Sequence, residues 1–255
     1  MDEQRIWLLS GTGEGPPLAA ELLRRGWQLR VSVVSSAAAR AYPAHPSLEL
    51  QVGALGDEAA VQTALAQWPC RWVVDAAHPF ARSIHPAVAE ACAALGRPWL
   101  RLQRPMLDSP GATVLTRLED LANLPLECDS LLLALGARQL AAALSHSRAR
   151  EHAVRLLPSA SALGQALQLG LPAERIACLR PQTSSSIEGS VEAGLCRRWG
   201  ITAVLARQSG GPPEQQWHQI CQAMGLKLLL IARPESSDPA GLELEPLLAR
   251  LGWPS

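Results

Sequence analysis

Two hydrophobic periods alternate along this chain. Short, nearly continuous apolar runs of strand length read RIWLLS (5–10), LRVSVVS (29–35), LELQVG (48–53), RWVVDA (71–76) and PWLRLQ (98–103). A second series follows: ATVLT (112–116), SLLLAL (130–135), AVRLLP (153–158), RIACLR (175–180), TAVLA (202–206) and LKLLLIA (226–232). Between them lie runs with helical spacing: LAAELLRRG, AAVQTALAQW, VAEACAALG, ASALGQALQLG, VEAGLCRRWG and WHQICQAMG. Most of these end on Gly, the residue that tolerates the left-handed cap of a helix. Apolar strands alternating with helices predict parallel sheets covered on both faces.

The pattern also repeats. VVDAAHPFARSIHPAVAEACAALGRPWLRLQRP ends on Arg104-Pro105, and VLARQSGGPPEQQWHQICQAMGLKLLLIARP ends on Arg233-Pro234. Aligned from those ends, Cys92 meets Cys221 and Gly96 meets Gly225. Upstream, LLSGTGE is echoed by LALGARQ, each a strand and a glycine turn opening a helix. The expectation is an α/β protein of two Rossmann-like halves with parallel sheets, built by internal duplication. Residues 1–108 form the N-terminal half, on the cofactor side, and 109–255 the C-terminal half, on the substrate side. The turn-rich segment RPMLDSPG joins them, and GLELEPLLARLGW adds a last helix. Two such halves leave a cleft, and open α/β sheets take ligands beyond the C-terminal strand ends.

Composition narrows the function classes. The 255 residues are 48% hydrophobic, enough for two modest cores. Basic and acidic residues number 23 each, so no field draws the chain to nucleic acid or an anionic membrane. Lys227 is the only lysine, and it sits inside an apolar strand; every other basic residue is arginine, from coding bias or for anion recognition. The six cysteines are scattered without a CxxC pair, which predicts buried reduced thiols and no metal site. MDEQRIWLL does not read as a signal peptide, and no run has the ~20 apolar residues of a membrane span. A cytoplasmic protein is expected, either a monomer or a weak homodimer.

The chemistry gathers at strand ends. Ser10-Gly11-Thr12-Gly13-Glu14-Gly15 follows the first strand and opens a helix, which suits a phosphate cradle with free helix N–H groups, or a simple tight turn. Pro16 stands where a third fingerprint glycine would be, and fits the first helical turn. After the second strand an NAD site carries an acid. Here Ser35, Ser36 and Arg40 stand instead, suiting a 2′-phosphate and NADPH, or else an N-cap serine with a solvated arginine. The Tyr-Lys pair of short-chain dehydrogenases is missing, since Tyr42 is the only tyrosine and Pro46 follows four residues later. HExxH and GxSxG are missing too, so a cofactor is expected to carry the chemistry. After the fourth strand comes DAAHPFA (75–81), holding the only phenylalanine.

That last run, with the helix after it and the closing Arg-Pro, resembles the signature region of the precorrin-6A reductase family of cobalamin biosynthesis. GTGEG, LALGARQL and ARQSGG resemble its other loops, and the resemblance spans residues 5–234. It implies hydride transfer from NADPH to a carbon–carbon double bond of precorrin-6A or its cobalt form, giving precorrin-6B. The substrate is then a tetrapyrrole fringed with carboxylates. Gly11, Thr12, Gly13, Glu14, Ala77 and His78 would bind cofactor, with His78-Pro79-Phe80 beside the nicotinamide and His78 and Phe80 as the catalytic residues. Alternatively His78 caps a helix and Phe80 is a core aromatic. Asp75 would hold a backbone N–H, and His85 would face solvent. Arg82, Arg138 and Arg207 would take substrate carboxylates, with Ser209-Gly210-Gly211 holding one at a helix start. The sequence does not name the proton donor; water can serve. Ala77, Ala137, Arg180 to Thr183 and Arg207-Gln208 depart from the family pattern. A two-domain transferase and a non-catalytic nucleotide sensor are the rival readings.

Overall fold

A computed structural model describes residues 2–180, 190–234 and 241–254. Two compact units divide between Pro105 and Met106 and again between Arg233 and Pro234. The first unit is Met1–Pro105 with Pro234–Ser255, and the second is Met106–Arg233. The C-terminal segment, expected with the second half, therefore belongs to the first.

The first unit holds β1 (Arg5–Ser10), α1 (Gly15–Arg24), β2 (Gln28–Val33), α2 (Ser36–Ala39), β3 (Leu48–Val52), α3 (Glu58–Gln67), β4 (Trp72–Ala76), α4 (Ile84–Ala94) and β5 (Trp99–Leu102). The second holds β6 (Thr113–Leu115), β7 (Ser130–Leu133), α5 (Leu140–His146), β8 (Glu151–Leu156), α6 (Ala160–Gln168), β9 (Ile176–Cys178), α7 (Val191–Arg198), β10 (Ala203–Arg207), α8 (Pro212–Met224) and β11 (Lys227–Ile231). The chain then returns to the first unit with β12 (Gly241–Leu242) and α9 (Leu244–Leu251). All eleven strands anticipated from the apolar runs are present. β12 was not foreseen.

The two sheets run β12-β5-β4-β1-β2-β3 and β6-β11-β10-β7-β8-β9, and every pairing is parallel. Superposing β1 on β7 and β4 on β10 makes the orders identical. Each unit is thus one topology repeated, with a sixth strand at the same edge. That strand precedes the rest in the second unit and follows both units in the first.

Burial explains the run pattern. β1 is buried from Ile6 to Ser10 because helices cover both its faces. Ile6 and Leu8 pack with Leu18 and Leu22 of α1 and with Leu247, Leu248 and Leu251 of α9. Trp7 and Leu9 point the other way, against Val61 and Leu65 of α3 and Val88 and Cys92 of α4. In the second unit Leu132 and Val204 pack with Cys196 of α7 and with Trp217 and Cys221 of α8. Cys92 and Cys221 are both buried, and Gly96 and Gly225 both end their helices at positive φ (60° and 64°), where a Cβ is strained. The matched residues therefore do matching work.

All six cysteines are free thiols, but Cys128 and Cys178 are exposed, against the expectation of burial. Burial pushes the thiols of Cys92, Cys196 and Cys221 up to about 12. Lys227 opens β11 rather than lying inside it. Its side chain is 56% exposed, and Nζ donates to Asp129 Oδ2 at 2.8 Å. Among the described residues no helix is long and apolar enough to cross a membrane, and no cluster of His, Cys, Asp and Glu could hold a metal.

Candidate active site

In the first sheet the chain leaves β1 toward β2 and later returns to place β4 on β1's other side. The crevice for a ligand opens where the order reverses, at the C-terminal ends of β1 and β4. The glycine loop and the His-Pro-Phe turn both lie there. They touch: the Gly11 N–H and the Thr12 hydroxyl each donate to the Ala76 carbonyl, both at 3.4 Å. A Cβ on Gly11 would stand 3.4 Å from the His78 nitrogen and 3.5 Å from the Ala77 Cα.

A second constraint lies beneath the loop. Tyr42, from the segment after β2, donates a buried hydrogen bond to Ser10 Oγ at 2.6 Å. A Cβ on Gly15 would come within 1.8 Å of that Oγ and 2.4 Å of the tyrosine oxygen. Gly15 is required by close packing, since its φ lies outside the left-handed region. Glu14 pairs with Arg104 Nη2. Burial opposes ionisation of Glu14, but hydrogen bonds from Thr12 and Arg104 outweigh it and hold the carboxyl below its usual range.

The free N–H groups expected at the start of α1 are not there. Pro16 and Pro17 have none, the Gly15 N–H donates to Thr12 O at 3.3 Å, and the Leu18 N–H donates to Glu14 O at 3.1 Å. A phosphate would instead meet the loop. Gly13 is exposed, and a Cβ on it meets nothing within 4 Å, so the backbone there is open to a ligand. The exposed glycine loop could offer hydrogen-bond donors to the phosphates of a dinucleotide.

Ser35 is the N-cap of α2, its Oγ accepting from the Ala38 N–H at 3.3 Å. Ser36 and Arg40 are exposed at the C-terminal side of β2. Asp75 is fully buried, and its Oδ1 accepts from the Ala77 N–H at 3.0 Å, as expected. His85 does not face solvent. It is 9% exposed, with Nδ1 at 2.5 Å from Asp75 Oδ2 and Nε2 at 3.0 Å from the His78 carbonyl. His78 Nδ1 accepts from the Phe80 N–H at 3.2 Å, and the two rings lie 5.8 Å apart; both residues are half-buried. Arg82 is exposed.

In the second unit the equivalent crevice lies between the ends of β7 and β10. Arg207 ends β10, and its Nε donates to Gln139 Oε1 at 2.9 Å. Burial and the nearby charge of Arg138 lower its pKa to about 10. Two guanidinium groups thus share one strand-end region, with Arg138 exposed. Ser209 is buried, and its N–H donates to the Arg207 carbonyl at 2.8 Å. The Gly210 N–H, expected to hold a substrate carboxylate, already donates at 2.6 Å to the buried carboxylate of Glu214; Gly211 caps α8. That internal carboxylate occupies the Gly210 N–H. Of the divergent segment 180–183, only Arg180 is described, and it is exposed.

Sequence reasoning missed Tyr42, Arg104 and His85. Arg104 carried a signal in the repeated Arg-Pro. Both arginines reach back to a strand-end loop, Arg104 to Glu14 and Arg233 Nε to the Gln208 carbonyl at 3.3 Å.

A glycine loop pressed on a second loop at the switch point of a parallel sheet marks an α/β protein of the Rossmann-like class. The family follows from comparison. The model of the precorrin-6x reductases CbiJ/CobK matches residues 5–251, and the chain belongs to that family. It is 32% identical to a cobalt-precorrin-6A reductase of Synechocystis sp. over 243 residues, covering 91% of this chain and 89% of that one. It is 30% identical to a precorrin-6A reductase of Mycobacterium tuberculosis over 233 residues, covering 90% and 89%. The solved structure of the CobK precorrin-6A reductase shares the fold, with a TM-score of 0.78 and 24% identity over 99% of both chains. The chain is therefore an oxidoreductase of cobalamin biosynthesis, of a class that draws hydride from a nicotinamide coenzyme.

Proposed function

We propose that this protein reduces one carbon–carbon double bond of precorrin-6A, or of its cobalt form, with NADPH as coenzyme, giving the precorrin-6B-type product. The observation that carries the reading is the junction of the glycine loop with the His-Pro-Phe turn at the ends of β1 and β4. When bound, the coenzyme supplies hydride from the C4 position of its nicotinamide. Thr12 and Gly13 bring backbone N–H groups to its pyrophosphate, Gly11 lets the loop lie close against the Ala77-His78 backbone, and Arg104 keeps Glu14 engaged within the protein. Ser36 and Arg40, with no acid after β2, favour a 2′-phosphate over a bare ribose. Ala77, His78 and Phe80 line the nicotinamide side, and this turn positions and shields rather than transfers protons.

The tetrapyrrole carries many carboxylates. Arg207 and Arg138 suit them, because an anion relieves the repulsion between two neighbouring guanidinium groups. Arg82 is a further exposed cation. The test is NADPH absorbance on mixing with precorrin-6A and, separately, its cobalt form, with NADH as control. Turnover with one of them at a clear preference for NADPH is expected. A folded protein that binds NADPH and reduces neither is a sensor, and one that turns over with NADH equally well refutes the roles of Ser36 and Arg40.

A further inference from the structure

Between the end of β4 at Ala76 and the start of α4 at Ile84 the His-Pro-Phe segment carries local turn bonds, the Ala81 N–H donating to the His78 carbonyl at 2.7 Å and the Arg82 N–H to the Phe80 carbonyl at 3.0 Å. Ser83, the N-cap of α4, makes no side-chain cap. What ties the turn to the strand and helix beside it is a buried bridge. Asp75, on the last turn-ward residues of β4, and His85, on the first turn of α4, meet at 2.5 Å. From this pair Asp75 Oδ1 reaches forward to the Ala77 N–H at 3.0 Å, and His85 Nε2 reaches back to the His78 carbonyl at 3.0 Å. Residues 76–78 are thus fastened at both ends. The glycine loop rests on the same three residues, through the Ala76 carbonyl and the close approach of Gly11 to the His78 nitrogen.

The hydrogen count is specific. A carbonyl only accepts, so the bond to His78 requires a hydrogen on Nε2, whichever partner carries the one shared between Nδ1 and Asp75. A side chain that merely filled this space would not need a donor at that atom. We infer that His85 is a positioning residue for the reduction: through the His78 carbonyl it sets the place of the His78–Phe80 turn, and Asp75 fixes the orientation of its ring. The inference rests on the reductase reading above. The physical cost of losing it is misplacement, and a shift of about 1 Å at a positioning element is worth up to ~10²-fold in rate.

Two substitutions separate the ring's two nitrogens. In His85→Gln the side-chain amide reaches where Nε2 was and can still donate to His78. In His85→Asn it reaches only where Nδ1 was, toward Asp75. His85→Gln is expected to keep kcat within about 3-fold, and His85→Asn to lose about 10- to 100-fold in kcat at little change in the coenzyme KM, the two melting at similar temperatures. In the coenzyme-free protein, amide exchange at Ala77 and Phe80 should quicken in His85→Asn while Ile6 and Leu8 of β1 stay protected. Equal losses in both variants that follow their melting temperatures would overturn the inference, as would normal turnover and exchange in His85→Asn. Should neither variant fold, nitrogen-15 shifts of His85 in the wild type decide it: a protonated Nε2 supports the bond to His78, and a bare one excludes it. Wild-type protein inert toward both precorrins would sink the reductase reading alone, since the exchange and nitrogen measurements need no substrate.

Discussion

Two glycines of the same loop should fail in opposite ways. At Gly15 an added methyl would sit 1.8 Å from Ser10 Oγ, 2.4 Å from the Tyr42 oxygen and 2.9 Å from Ser10 Cβ. None of these can yield cheaply, because Ser10 and Tyr42 are buried and bonded to each other. Overpacking of this kind costs about 1–3 kcal/mol. Breaking the Tyr42–Ser10 bond adds about 1 kcal/mol. The gain of alanine over glycine in a helix returns less than ~1 kcal/mol at a first-turn position. Gly15→Ala should therefore destabilise the first unit by about 1–3 kcal/mol. At Gly13 the methyl meets nothing, so Gly13→Ala should melt within about 0.5 kcal/mol of wild type. If the phosphate lies on this loop as proposed, the methyl would stand in its approach, and NADPH affinity should fall about 10-fold or more. Urea unfolding gives the stabilities, and the quenching of tryptophan emission on NADPH addition gives the affinity. A stable Gly15→Ala would show that the loop is not held by packing on Tyr42. An unstable Gly13→Ala, or one that binds NADPH normally, would refute the placement of the phosphate on this loop.

Other outcomes follow from the same geometry. Arg40→Ala should raise the KM for NADPH about 10-fold and leave that for NADH unchanged, a difference read from steady-state rates. A thiol reagent at pH 8 should modify Cys128 and Cys178 quickly, and Cys92, Cys196 and Cys221, with thiols near pKa 12, only on unfolding; mass spectrometry identifies the modified sites. Glu14 has a folded pKa below its ordinary 4.5, so its ion pair contributes fully above that pH and is lost as the pH falls through the folded value. Glu14→Gln should accordingly flatten the fall in stability below about pH 4.5, measured as urea midpoints at several pH values. Truncation after Arg233 removes Leu247, Leu248 and Leu251 from the first core, each worth about 1.5–3 kcal/mol of burial. Limited proteolysis of that variant should degrade residues 1–105 and spare 106–233.

Much of this architecture was legible because interior parallel strands are written as unbroken apolar runs, RIWLLS and SLLLAL among them. β12 was not legible, since two residues paired through backbone to Arg101 and Leu102 carry no side-chain period. The apolar stripe of α9 announced a helix, but a stripe does not say which sheet it covers, and adjacency in sequence suggested the wrong one. At the site, the glycine loop and DAAHPFA stood out by residue type at strand ends. The prolines that strip α1 of donors were visible, yet their effect depends on where the Gly15 and Leu18 N–H groups turn. His85 looked like a polar residue at a helix start. Its burial comes from Asp75, ten positions earlier, which the fold brings to 2.5 Å. Tyr42 was weighed only as a missing catalytic tyrosine, and nothing in its neighbours points to Ser10.

The placement of the sixth strand has a consequence for synthesis. The second unit is continuous, so residues 106–233 can close their sheet as soon as they emerge from the ribosome. The first unit emerges earlier and yet finishes later. Until β12 and α9 have been translated, β5 keeps an open edge and the face of Ile6 and Leu8 lacks its leucine cover. The first unit is therefore born first and matures last, and during that interval it is the part that a chaperone would have to guard.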